Sequence, residues 1–141
     1  MTTTRELGRL GPFLVDAEGT LVVCDPARPV GFGFRWRGRR VRAELGLDAR
    51  LKLAVLAAHV PFTAEAAPLR PGVFAALAAL REEAGASWRI ALTPGHGVLI
   101  EAVEELGTPA TASRVVAAAT RFALRLAPCL DLLEEAGARP A

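Results

Sequence analysis

Tyrosine is missing from this sequence, methionine and lysine occur once each and cysteine twice, against 28 alanines and 16 arginines in 141 residues. Without tyrosine no recognition surface can rest on phenolic hydroxyls, so any aromatic anchor must come from the six Phe and two Trp. Cys24 and Cys129 lie far apart, flanked by Val23 and Leu130, with no Cys or His at ligand spacing, and are read as buried free thiols. No apolar run approaches the ~20 residues that a membrane-spanning helix needs. Met1–Glu6 has no apolar signal-peptide core either, so a cytoplasmic protein without a membrane partner is expected.

Converging chemical groups are also scarce. His59 sits in an apolar stretch and His96 in Pro94-Gly95-His96-Gly97, and neither is accompanied by a nucleophile motif and an orienting acid. The acidic pairs Asp16/Glu18, Glu82/Glu83, Glu104/Glu105 and Glu134/Glu135 are near neighbours in sequence, and adjacent helical side chains diverge instead of meeting at a substrate. Gly31-Phe32-Gly33 and Gly95-His96-Gly97 lack the trailing glycine and helix start that cradle a pyrophosphate. No catalytic residue, metal ligand or cofactor site is therefore expected, and a non-enzyme is the reading.

What is present is a local concentration of charge. The net charge is +2, yet Arg35, Arg37, Arg39, Arg40 and Arg42 fall within eight positions, so the rest of the chain is near −3. Only this stretch could meet a polyanion. It lies in the clearest pattern of the chain. From Val30, Phe32, Phe34 and Trp36 alternate with Gly31, Gly33, Arg35 and Arg37; Gly38 turns, and Val41, Ala43 and Leu45 alternate with Arg40, Arg42 and Glu44. Residues 30–46 thus read as a hairpin with an apolar and a cationic face. Gly31-Phe32-Gly33-Phe34 is similar to the base-stacking strand of RNA-recognition motifs, but Val30, Arg35 and Arg37 depart from that pattern and no helix precedes it.

Elsewhere, Thr3-x-x-Glu6 has capping-box spacing and predicts a short first helix carrying Leu7 and Leu10, ended by Gly11-Pro12. Strands follow at 13–15 and 20–24, and Asp25-Pro26 and Arg28-Pro29 make a loop. Residues 49–60 are ambiguous: Leu51, Leu53 and Val55 alternate as in a strand, whereas the alanines favour helix. Pro71, the spacing of Phe74, Leu77 and Leu80, and Gly85 predict a helix over 70–84. Ser87–Leu92 and Val98–Val103 form a second hairpin, and Thr111 caps a long helix with Val115, Ala119, Phe122, Ala123 and Leu126 in one stripe, interrupted near Pro128. Gly137–Ala141 should fray. Strands grouped on both sides of a helix argue for a single α+β domain over 1–141, an antiparallel sheet packed against helices.

Leu51–Leu53, the Val60-Pro61-Phe62-Thr63-Ala64-Glu65 element, the Phe74/Leu77/Leu80 helix and the strands at 88–92 and 98–103 together resemble the YbjN-like branch of the type III secretion chaperone-like fold, over roughly residues 12–134. The resemblance implies the order α-β-β-β-α-β-β-α, resolves 50–60 as strand, and implies a homodimer that binds partner proteins through apolar sheet and helix surfaces. The expected function is a non-enzymatic, chaperone-like or regulatory protein-binding module, anchored at Phe34, Trp36 and Phe62. The alternative is a nucleic-acid-associated protein using Arg35, Arg37, Arg39, Arg40 and Arg42 on the hairpin.

Overall fold

The computed structural model describes residues 6–10, 13–16, 21–23, 30–46, 48–107 and 110–140. Three short strands open it, β1 (Glu6–Leu10), β2 (Phe13–Asp16) and β3 (Leu21–Val23), paired antiparallel in a sheet of their own. The predicted first helix is thus corrected to a strand. Gly8 costs a helix about 1 kcal/mol relative to alanine, and β2 supplies the segment with a ladder, Leu10 facing Phe13 and Gly8 facing Val15. The capping-box residue Thr3 and Cys24 lie outside the described residues.

The main sheet is built from β4 (Val30–Trp36), β5 (Arg39–Leu45), β6 (Arg50–His59), β7 (Trp88–Leu92) and β8 (Gly97–Glu105), all antiparallel, in the order β4-β5-β6-β8-β7. Residues 50–59 are strand in spite of their alanines, because β6 lies between β5 and β8, where Leu51, Leu53 and Val55 are fully buried. Tertiary burial outweighs a propensity difference of under 1 kcal/mol per residue. The register of β6 on β8 slips between Leu56 and Ala58, a bulge that leaves Ala57 and Ala58 both buried.

Two helices, α1 (Arg70–Glu83) and α2 (Ala112–Glu135), cover one face of this sheet. The buried stripe of α1 is Val73, Ala76, Leu77 and Leu80, while Phe74 is turned outward. In α2 the Thr111 hydroxyl accepts from Arg114 N at 3.3 Å, and Val115, Ala118, Phe122, Leu126, Leu130 and Leu133 face the sheet. The helix runs on through Pro128, which is exposed. Phe122 stacks on Trp88 at 5.0 Å, and the Arg125 guanidinium sits 4.6 Å above the same Trp88 ring. Each fully buried Leu, Ile, Val or Phe in this layer contributes on the order of 1.5–3 kcal/mol by leaving water.

Residues 137–140 do not fray as expected, and Ala141 lies outside the described residues. Gly137 takes φ 108, its neighbour Ala138 N donates to Leu133 O at 2.9 Å, and β9 (Arg139–Pro140) pairs with β6 at Ala58 and His59. The left-handed glycine reverses the chain and delivers Ala138 into the core.

Candidate functional site

The helices cover the sheet unevenly, and the site follows from that. α2 lies over β6, whereas β4 at the end of the sheet is left partly open. Phe32, Phe34 and Trp36 project from β4 toward the helix side and are only half-buried. Between them and α2 runs a groove of about 450 Å³, walled by Phe34 and Trp36 on one side and by Val116, Thr120 and Leu124 on the other. Leu124 is 64% and Val116 53% exposed, so this wall is apolar surface without a cover among the described residues. The Trp36 indole N–H is buried beside the groove with no hydrogen-bond partner among the described residues.

The predicted anchors therefore separate. Phe34 and Trp36 share the groove; Phe62 is remote from it, 58% exposed and stacked on the His96 ring at 5.2 Å. Val116, Thr120 and Leu124 did not figure among the expected contacts because they lie off the core stripe. Their four-residue spacing was the available signal, since i, i+4 and i+8 form a second row on a helix.

The five arginines separate too. Arg37 and Gly38, with φ 49 and 80, make the tight hairpin turn, and both central residues of that turn type require positive φ. There Arg37 reaches α2, donating through Nη1 to Ala127 O at 3.1 Å and through Nη2 to Asp131 Oδ1 at 2.8 Å. Arg39 shares the inward face with Val41, Ala43 and Leu45 and is 4% exposed. Its Nε donates to Ala57 O at 2.7 Å, the carbonyl of the bulge in β6, Nη1 donates to Arg37 O at 2.9 Å, and Nη2 pairs with Glu134 Oε1 at 2.6 Å. These two guanidinium groups hold the hairpin tip to α2.

Arg35, Arg40 and Arg42 remain on the opposite, uncovered face with Lys52. Arg35 stands directly across from Arg40, and none of the four side chains has a hydrogen bond or a carboxylate within ion-pair distance among the described residues. Gly31, Gly33 and Ala54 floor a shallow depression of about 800 Å³ there, edged by the cations Arg40, Arg42 and Lys52 and by the carboxylates Glu44 and Glu101. No aromatic side chain of the hairpin is on this face, because Phe32, Phe34 and Trp36 occupy the other.

Among the described residues no three His, Cys, Asp or Glu side chains are grouped to hold a metal ion, and no helix is long and apolar enough to cross a membrane. Burial pushes the Cys129 thiol above its ordinary pKa, against the opposing influence of Arg125, so it is a poor nucleophile at neutral pH. No family model, curated protein or solved structure matches the chain.

Proposed function

We propose that this is a non-enzymatic, chaperone-like or regulatory protein-binding module that holds a segment of a partner protein in the groove between β4 and α2. The open apolar wall carries the reading. Val116 and Leu124 are large, exposed and adjacent to half-buried aromatic residues, and apolar surface of this kind, rimmed by polar groups, marks interaction sites. From β4 onward, the β4-β5-β6-α1-β7-β8-α2 order follows the one that the YbjN-like, secretion-chaperone-like resemblance implies, whereas the opening helix of that order is replaced by the strand β1. The homodimer that the resemblance implies would use a different surface, such as Leu69 and Phe74 beside α1, 47% and 48% exposed. A cytoplasmic setting belongs to the same proposal.

The test is affinity purification from the native host with the intact protein and with Leu124→Asp, followed by titration of the purified partner. Leu124 is too exposed for its loss to unfold the domain, so the variant should stay folded and lose the partner. Equal affinity of the recovered partner for both proteins would refute the site.

A second reading is favoured by the uncovered face, where Arg40, Arg42 and Lys52 at the depression, with Arg35 across from Arg40, could contact nucleic-acid phosphates. It requires binding that weakens steeply with salt. A gel shift at two ionic strengths with no complex at the lower one would remove it.

A further inference from the structure

Resting on the groove reading, we infer that the occupant is an extended partner segment in which apolar residues alternate with acidic ones, added as a strand to the outer edge of β4. β4 ends the sheet, and its outer edge has no strand neighbour among the described residues. Its seven residues pair with β5 in unbroken register and contain no proline. Edge strands are ordinarily blunted by proline, bulges or several charges, and here Arg35 is the single charge. β4 therefore offers backbone donors and acceptors to an incoming strand.

The two faces of β4 then dictate the chemistry of that strand. An added strand lies about 4.8 Å outside β4, and its side chains alternate between the faces. Those on the helix side enter the groove against Val116 and Leu124 and must be apolar. Those on the other side pass Gly31 and Gly33, where no side chain obstructs them, and reach Arg35 and Arg40. These two like charges stand opposite each other, an unfavourable cross-strand arrangement. Carboxylates on the incoming strand relieve it. The nearest acids of the sheet serve poorly: Glu44 is across from Gly31, and Glu101 is on β8, beyond β6. A docked helix could fill the groove but could not also reach arginines on the far face of the strand, so the placement selects strand addition over helix docking.

The inference is tested by fluorescence anisotropy with three labelled nine-residue peptides, valine alternating with glutamate, glutamine or lysine. The glutamate peptide should bind about tenfold more tightly than the lysine peptide at low salt, with the gap closing as salt screens it. Arg35→Glu/Arg40→Glu should reverse the order, and Leu124→Asp should weaken all three peptides. N-methylation of alternate backbone nitrogens on the hydrogen-bonding side of the glutamate peptide should abolish binding.

Equal affinity for the three peptides, still sensitive to Leu124→Asp, would overturn the acidic preference and leave the groove reading standing. Binding that ignores Leu124→Asp would overturn both. A doubled mass in light scattering that Leu124→Asp returns to the monomer would overturn the inference by making a second copy the occupant. Displacement of the glutamate peptide by an oligothymidylate would overturn it in favour of nucleic acid.

Discussion

The buried Arg39–Glu134 pair predicts an asymmetry that a mutant cycle can read. Arg39 is 4% exposed and has three partners among the described residues, two of them backbone carbonyls and the third the Glu134 carboxylate at 2.6 Å. Glu134→Ala leaves the guanidinium buried without its counter-charge, a change that costs about 3–5 kcal/mol when both partners are enclosed. The Glu134 side chain is 32% exposed, so water reaches this pair from one side and a loss nearer 2–3 kcal/mol is expected. Arg39→Met removes the charge and keeps most of the volume. Its main penalty is the orphaned Ala57 carbonyl at the bulge, about 1–2 kcal/mol, since the partly exposed Glu134 can hydrate and still has Arg37 at 3.7 Å. The double variant should therefore be no less stable than Arg39→Met alone. Urea denaturation followed by Trp fluorescence measures all four proteins. If the double variant loses the sum of the two single losses, the pair is uncoupled and this account of Arg39 is wrong.

Three further outcomes follow from the structure. Ile100→Ala, at a fully buried position of β8, should cost about 2–5 kcal/mol, whereas Phe74→Ala, 48% exposed on α1, should cost much less; equal shifts in urea midpoint would contradict the assigned faces of sheet and helix. Gly38→Ala should destabilise the hairpin by roughly 1–2 kcal/mol, because φ there is 80 and the space around it is open; an unchanged melting curve would show that the turn adopts another form. Cys129 should alkylate slowly at neutral pH and readily in urea, because burial raises its pKa. A raised folded-state pKa means that the thiol's contribution to stability is complete below the ordinary thiol range and is lost as pH rises through the higher folded value. Fast alkylation of the folded protein at pH 7, or an alkaline unfolding limb unchanged in Cys129→Ala, would contradict this.

Particular residues show how much was legible beforehand. The 30–46 hairpin was readable because its alternation has period two, and a one-residue slip would put Val41, Ala43 and Leu45 in water. The same parity marks Arg39 as inward-facing, two positions before Val41, but it gives no counter-charge. Glu134 is 95 residues away, and only the path of α2 across the sheet brings it to the hairpin tip. The expected first helix fails for a related reason: a local capping pattern at Thr3–Glu6 cannot register that β2 is available to pair with β1.

Sequence alone determined the α+β class, the two hairpins, both long helices and the split of β4 into an aromatic and a glycine–arginine side, because each rests on a local period. Tertiary structure decided which arginines stay free, which aromatic residues share a surface, and that Val116 and Leu124 face β4. These depend on where α2 lands on the sheet. That placement is fixed jointly by Phe122, Leu126, Leu130 and Leu133 fitting over β6 and its neighbours, a packing outcome that no local window of residues contains.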